Sequence, residues 1–265
     1  MSDTKIEATD VTKVYRAGKP GAVHALDDVS FSVDDGEFFS IVGPSGCGKS
    51  TLLRVLARLI EQTDGSFEIK SDSGDRPENA MVFQEDALFP WRSVRRNVEF
   101  GLEMRGVDGE TRRDVARSYL EKVGLADFES AYPHELSGGM KQRVNIARAF
   151  ANDPEVLLMD EPLGALDAQT RQVLQEELMN IWNNEEKTVV YITHSLEEAI
   201  LMSDRIGLMT SRPGRLKDTF TVDIPRPRTH ENRNSEAFND LYATLWESLK
   251  EEVQTSMQLQ RSEAQ

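Results

Sequence analysis

Short apolar runs alternate with longer stretches of helical spacing along the chain. Strands are predicted at Ser66–Ile69, Ala80–Phe83, Val156–Met159, Thr188–Thr193, Arg205–Met209 and Leu216–Val222. The first stretch, Ile6–Val33, alternates short β-prone pieces with turn residues, and Gly18–Gly21 marks a loop between two of them. The runs at 156–159 and 188–193 are apolar or β-prone throughout, which is typical of central parallel strands buried on both faces.

The remaining stretches carry apolar residues at helical spacing. Helices are predicted at Val94–Met104, Gly109–Val123, Gly139–Ala151, Ala168–Asn184, Leu196–Met202 and approximately Glu236–Gln258. No strand pattern appears between residues 85 and 154, so a helical insertion is expected to interrupt the sheet. We therefore expect an α/β core from residues 1–84 and 155–225, a helical subdomain at 85–154, and a peripheral C-terminal helix and tail at 226–265.

Composition supports a folded chain outside the secretory pathway. Hydrophobic residues make up 38% of the 265, which excludes wholesale disorder. No apolar run approaches the 18 residues of a membrane span, and Met1–Lys5 does not resemble a signal peptide. The single cysteine, Cys47, fits a reducing cytoplasm. The net charge of −15 disfavours DNA or RNA as a partner.

Residues 43–51 complete the pattern G-x-x-x-x-G-K-[ST]. They follow a short apolar strand and precede a helical pattern, so the helix N-terminus points at a bound phosphate. Backbone N–H groups would cradle a polyphosphate while a lysine and a serine supply a charge and a magnesium ligand. A glycine-rich turn without a ligand is the alternative, and this context disfavours it. The predicted nucleotide-binding residues are Gly43, Pro44, Ser45, Gly46, Cys47, Gly48, Lys49, Ser50 and Thr51.

Three further residues are suited to phosphate hydrolysis. Asp160 and Glu161 end an apolar strand, where Asp160 can hold Mg²⁺ beside Ser50 and Glu161 can act as general base towards a water. His194 follows the apolar strand at 188–193 and can donate a hydrogen bond to the γ-phosphate, since ligands bind at that edge of a parallel sheet. Alone, each feature could be structural.

A second anion-directed loop lies before the predicted helix at 139–151. Ser137, Gly138 and Gly139 can present a hydroxyl and N–H groups to a phosphate. Because residues 43–51 already serve this chain's own nucleotide, a second such loop suggests a site shared between two chains.

Together these residues resemble the ATP-hydrolysing subunits of ABC transporters over nearly the whole chain. Six elements match in order and spacing: Gly43–Thr51 with Walker A, Gln84 with the Q-loop, Leu136–Gln142 with the signature, Val156–Glu161 with Walker B, Ala165–Asp167 with the D-loop, and His194 with the switch histidine. The resemblance implies a P-loop NTPase (RecA-like) core with an N-terminal antiparallel β subdomain and an inserted helical subdomain.

The resemblance also implies partners and roles. Two copies would form a head-to-tail homodimer that encloses two ATP molecules, each between Walker A of one copy and Ser137–Gly139 of the other. Tyr15 would stack on adenine, Asp167 would line the shared site, and Gln84 would contact Mg²⁺, the water and a transmembrane partner. Phe89-Pro90-Trp91, the residues around the D-loop and the short tail are similar to the nitrate, sulfonate and taurine importer branch.

The sequence therefore predicts an importer ATPase subunit. Its partners would be integral-membrane permease subunits and a substrate-binding protein, and it would lie on the inner face of the cell membrane. Two other interpretations stay open: a non-transport ABC ATPase of an assembly complex, for example one acting on iron–sulfur scaffolds, and a module that binds ATP without hydrolysing it. The acids at 160 and 161 and the histidine at 194 oppose the second.

Overall fold

A computed structural model of the protein describes residues 3–71, 74, 76–84, 87–185 and 187–263, and the side chains as far as residue 258. The chain divides into two compact units. The terminal unit comprises Met1–Lys70 and Lys187–Gln265, and the middle unit comprises Ser71–Glu186. The predicted division at residues 85 and 154 stays a prediction.

An antiparallel sheet of three strands opens the terminal unit. Strands β1 (Thr4–Tyr15), β2 (Val23–Asp34) and β4 (Asp64–Ile69) lie in the order β2-β1-β4. The expected β subdomain and the loop at Gly18–Gly21 are confirmed. The expected short pieces are instead two 12-residue strands, because register shifts absorb the turn-type residues without ending the pairing.

A second sheet of the terminal unit holds β3 (Phe38–Val42), β7 (Thr188–Ile192), β8 (Arg205–Met209) and β9 (Leu216–Thr221). Strand β3 pairs in parallel with both β7 and β8, and β9 adds antiparallel to β8. Every residue of β3 and β7 is buried, as their apolar sequences predict. Helices α1 (Lys49–Leu56), α7 (Leu196–Met202) and α8 (Glu236–Glu263) complete this unit.

The middle unit contains a parallel strand pair and five α-helices among its described residues. The pair is β5 (Asn79–Val82) and β6 (Val156–Asp160), and the helices are α2 (Val94–Val98), α3 (Phe100–Met104), α4 (Gly109–Lys122), α5 (Gly138–Ala151) and α6 (Ala168–Glu185). The described residues between 87 and 155 form no strand, as expected. The helix predicted at Val94–Met104 forms as two consecutive helices, α2 and α3, because Glu99 between them lies in a turn.

Helix α8 begins at the predicted residue and continues five residues past the predicted end. Phe238, Leu245 and Leu249 follow one another at helical spacing and are buried, at most 7% exposed. The helix therefore packs through an apolar face against the terminal unit. Over the described part of the chain, no helix has both the length and the apolar character that crossing a membrane requires.

Candidate functional site

The loop at residues 43–48 joins the buried strand β3 to helix α1. Gly48 is the N-cap of α1 and has a φ of 114°, a conformation that side chains with a Cβ rarely adopt. A Cβ there would lie 2.6 Å from the carbonyl oxygen of Ala25 on β2. Glycine at this position therefore lets the loop turn tightly into the helix, whose N-terminal N–H groups are the donors an anion needs.

Lys49 is buried within this loop. Its Nζ donates to the carbonyl oxygens of Gly43 at 2.8 Å and Pro44 at 3.0 Å, and the side chain is 6% exposed. A positive charge is thus held against the loop, next to the partial positive charge of the helix N-terminus. Both features favour a polyphosphate.

Two further side chains, Cys47 in the loop and Tyr15 beside it, were predicted to bind nucleotide. Burial raises the pKa of the Cys47 thiol, so this side chain is a packed, protonated residue of the loop. The Tyr15 hydroxyl lies 3.4 Å from Oγ1 of Thr51 in the first turn of α1. Tyr15 is therefore beside the loop, where the resemblance expects an adenine-stacking residue; that role stays a prediction.

His194 lies at the carboxyl end of β7 and is exposed. The corner that carries it is fixed by Glu198, a buried residue of α7 whose Oε2 accepts from the Thr193 hydroxyl at 2.7 Å and the Tyr191 hydroxyl at 3.2 Å. Ser195 then caps α7 by accepting from the Glu198 N–H at 3.3 Å. These contacts hold the histidine beside the loop, where it shares a cavity wall with Gly43, Pro44 and Ser45.

The predicted acids lie at the end of β6 in the middle unit. Asp160 is 4% exposed, and Glu161 follows it with a φ of 44°. Nε2 of Gln84 donates to Oε2 of Glu161 at 3.4 Å. The structure therefore brings together two residues that are 77 positions apart in the sequence and that were both predicted to act on the same water.

The signature and D-loop residues form one neighbourhood of the middle unit. Ser137 caps α5 by accepting from the Met140 N–H at 3.3 Å, and Gly138 is exposed. Asp167 caps α6 by accepting from the N–H groups of Gln169 at 3.1 Å and Thr170 at 3.0 Å. Hydrogen bonds from Thr170 hold the pKa of Asp167 below its usual value. A Cβ on Gly139 would lie 2.9 Å from Cγ2 of Thr170, so the first turns of α5 and α6 lie against each other.

The chemistry of the predicted donors in each unit fits Mg²⁺. The hydroxyl of Ser50, the buried carboxylate of Asp160 and the amide of Gln84 offer the hard oxygen ligands that Mg²⁺ prefers. Mg²⁺ usually takes one or two protein ligands and completes its shell with phosphates and water. Within the terminal unit, the loop with Lys49 offers the N–H groups and the positive charge that a phosphate needs.

Sequence reasoning missed three groups of residues. Glu198 positions His194, and the S-x-x-E spacing from Ser195 was the signal available for it. Five arginines line a cavity of about 590 Å³ in the middle unit, beside Trp91, which is 73% exposed. The five arginines are Arg92, Arg95, Arg96, Arg112 and Arg113. The third group consists of residues of α8 that line a cavity beside the phosphate loop.

Comparison with known proteins agrees with this geometry. Residues 26–164 match the family model described as ABC transporter. The chain is 46% identical over 258 residues to an uncharacterized ABC transporter ATP-binding protein of Methanocaldococcus jannaschii, covering 96% of this chain and 94% of that relative.

Relatives with named roles are also similar. A nitrate import ATP-binding protein of Synechocystis sp. is 46% identical over 222 residues, 83% of each chain. A taurine import ATP-binding protein of Jannaschia sp. is 43% identical over 243 residues, covering 88% of this chain and 90% of the relative.

A solved dimer of an ATP-binding cassette in a post-hydrolysis state, bound to ADP and phosphate, superposes with a TM-score of 0.72 at 33% identity. The match covers 83% of this chain and 100% of that one. The fold class and the family resemblance drawn from the motifs are both confirmed. The chain belongs to the ABC transporter ATP-binding family and is an ATPase of that family.

Proposed function

We propose that this chain is the ATP-hydrolysing subunit of an importer for nitrate, sulfonates or taurine, acting through separate transmembrane subunits. The names of the similar nitrate and taurine proteins support the class of cargo. The observation that carries the hydrolytic role is the Gln84–Glu161 contact at the end of the buried strand β6. It holds an amide donor and a carboxylate base in position to orient one water.

The reaction is attack of that water on the γ-phosphate, which breaks the bond to the β-phosphate oxygen and releases ADP and phosphate. Glu161 takes the proton of the attacking water, and Lys49 and His194 contact the γ-phosphate. Ser50, Asp160 and Gln84 would hold Mg²⁺, and the bound ion would neutralise part of the phosphate charge. Positioning and charge neutralisation account for most of the catalysis in this reaction class.

We assign the ATP-bound state to a homodimer with two composite sites. Walker A of one copy and Ser137, Gly138 and Gly139 of the other would enclose each ATP, with Asp167 close by. The exposure of Ser137 and Gly138 and the dimeric state of the solved relative support this assignment. Hydrolysis removes the γ-phosphate that bridges the two copies, so cleavage reopens the dimer.

The middle unit offers a surface for the permease subunits. An apolar groove of about 460 Å³, lined by Phe83, Phe89, Phe100 and Met104 among others, lies in the same unit as the arginine-lined cavity. Trp91, which lines the arginine-lined cavity, and Met104, which lines the groove, are 73% and 64% exposed, so both present large apolar side chains to solvent. The chain would thereby attach to the inner face of the cell membrane, and a substrate-binding protein would deliver the cargo from the other side.

Glu161→Gln tests the hydrolytic role. The variant keeps the side-chain volume and the contact with Gln84 but cannot accept the proton, so it should bind ATP normally while turnover falls about 100-fold or more. It should also accumulate as an ATP-bound dimer in sedimentation velocity. Glu176→Gln, at an exposed position of α6, is the matched control and should hydrolyse normally. Normal turnover by Glu161→Gln would remove this residue from the base role.

Affinity purification from detergent-solubilised membranes separates transport from the assembly alternative. The tagged wild-type chain should retain integral-membrane subunits, and the double variant Trp91→Ala/Arg96→Glu should lose them. Arg16→Glu, an exposed charge reversal in the terminal unit, should retain them. Co-purification of a soluble scaffold, equally strong in all three proteins, would favour the assembly role.

A further inference from the structure

A cavity of about 360 Å³ lies within the terminal unit, between the phosphate loop and helix α8. Gly43, Pro44, Ser45 and His194 form one side of it. The other side consists of five residues of α8: Trp246, Leu249, Val253, Ser256 and Met257. The C-terminal helix therefore adjoins the loop and the histidine that act on the γ-phosphate.

Three of the α8 side chains that line this cavity are apolar and partly open to solvent. Trp246 and Met257 are 46% and 55% exposed, and Val253 lies between them on the same side of the helix. We call Trp246, Val253 and Met257 the α8 flank. Aromatic residues and methionine are enriched at protein interfaces, so the α8 flank has the composition of a contact surface.

Helix α8 is fastened in place. Glu252 accepts from the Ser211 N–H at 2.8 Å and pairs with Lys217 at 3.0 Å, and these contacts lower its pKa. On the preceding turn, Leu249 and Leu245 are buried. The α8 flank is therefore presented by a fixed helix, which suits a docking surface better than a swinging lid.

We propose that the α8 flank docks against a second copy of this chain when the ATP-bound dimer closes. This inference rests on the homodimer assigned above. In that dimer the phosphate loop and His194 face the other copy, and the α8 flank borders them because it lines the same cavity. The apolar contact would enlarge the interface beyond the nucleotide itself.

Charge explains why such a contact is needed. Each copy carries a net charge of −15, so two copies repel each other at long range. The repulsion is screened by salt, whereas burial of a tryptophan and a methionine is not weakened by salt. An apolar contact beside the nucleotide thus favours closure where the net charge opposes it.

The first test compares dimer dissociation constants in the Glu161→Gln background with Mg-ATP, by sedimentation velocity. Trp246→Gln/Met257→Gln should raise the constant about tenfold or more, because tryptophan is among the residues whose truncation weakens an interface most. Leu59→Gln/Phe128→Gln is the matched control, since these side chains are 55% and 41% exposed elsewhere, and it should leave the constant unchanged. Unchanged ATP affinity of the monomer shows that the variants are folded.

The second test measures the solvent exposure of Trp246 in the α8 flank directly, by acrylamide quenching of its fluorescence. The variant Trp91→Phe/Glu161→Gln keeps two tryptophans, Trp182 and Trp246. Their side chains are 7% and 46% exposed, so acrylamide quenches mainly the fluorescence of Trp246. Mg-ATP should protect Trp246 and shift its emission to the blue at dimer-forming concentrations. Addition of Ser137→Arg, which blocks closure, should abolish both changes.

The outcomes of these tests separate the α8 flank from the proposed function. The docking of the α8 flank would be overturned if the dimer forms while acrylamide still quenches Trp246, and if Trp246→Gln/Met257→Gln leaves the dissociation constant unchanged. The proposed function would then stay intact. Failure of Glu161→Gln to dimerise with Mg-ATP would overturn both the homodimer with composite sites and the docking of the α8 flank. Protection of Trp246 in the Ser137→Arg protein would overturn the second copy as the occupant and show that the cavity closes within one chain.

Discussion

Two adjacent glycines in the signature loop should respond in opposite ways to the same substitution. Gly138 and Gly139 occupy the first turn of α5. A Cβ built on Gly138 meets nothing within 4 Å, whereas one on Gly139 lies 2.9 Å from Cγ2 of Thr170. Neither glycine has a positive φ, so alanine is allowed by the backbone at both positions. The difference between the variants therefore reports the contact with Thr170.

The expected magnitude follows from two terms. Replacing glycine by alanine in a helix stabilises it by at most about 1 kcal/mol, and by less in a first turn. This gain is common to both variants. At Gly139 the new methyl group lies well inside the separation of about 3.5–4.0 Å at which carbon atoms attract. Overpacking of this kind costs about 1–3 kcal/mol, so Gly139→Ala should be less stable than Gly138→Ala by that amount.

Urea unfolding of the full chain measures the difference as a shift in midpoint at constant slope. Thr170→Ser removes the Cγ2 methyl but keeps the hydroxyl that bonds to Asp167, so it should restore most of the stability of Gly139→Ala. In wild type the same change should have little effect. Equal midpoints for the two alanine variants, or no rescue by Thr170→Ser, would refute the contact between the signature loop and the first turn of α6.

Three other predictions concern the terminal unit. Gly48→Ala should abolish ATP binding in a titration with fluorescent ATP, because its Cβ would lie 2.6 Å from the Ala25 carbonyl oxygen at a φ of 114°; normal affinity would contradict this reading of the loop. Arg228 donates to the carbonyl oxygens of Ile224, Val222 and Ile200, and Arg228→Lys should lower the free energy of unfolding by about 2–3 kcal/mol, since buried acceptors lose their donors. Burial raises the pKa of the Cys47 thiol, so the native chain should react with a thiol reagent at pH 8 far more slowly than the urea-unfolded chain; equal rates would show the loop to be open.

Local chemistry made much of the site predictable from sequence. The spacing of glycines and lysine at residues 43–51 defines a loop whose geometry depends on adjacent residues, and the apolar strands on either side are buried as expected. The same holds for Asp160 and Glu161, because the apolar run of four residues before them, Val156–Met159, has few places to lie except inside a sheet. These signals are contained within about ten residues each.

Contacts between distant residues were not predictable in this way. The turn at Glu99 divides a stretch of continuous helical spacing, and two residues later a Cβ on Gly101 would lie 2.4 Å from the Asn152 side chain. The end of α5 therefore lies close to the segment at 94–104, and the hydrophobic periodicity of that segment cannot predict this contact. Likewise, the spacing of α8 predicted a helix with an apolar face but not that its side chains would line a cavity with His194.

Backbone strain supplies an argument for Glu161 that is independent of its motif. Among the described residues, six non-glycine residues have a positive φ, and three of them are aspartates, whose short polar side chains tolerate that region. Glu161 lacks this advantage, so its φ of 44° carries a cost of about 1 kcal/mol or more. The turn persists because β6 is buried before it and because the Gly164 N–H donates to the Glu161 carbonyl oxygen at 3.0 Å. Its result is a carboxylate directed at Gln84, and strained residues of this kind concentrate where a side chain must be aimed at a substrate.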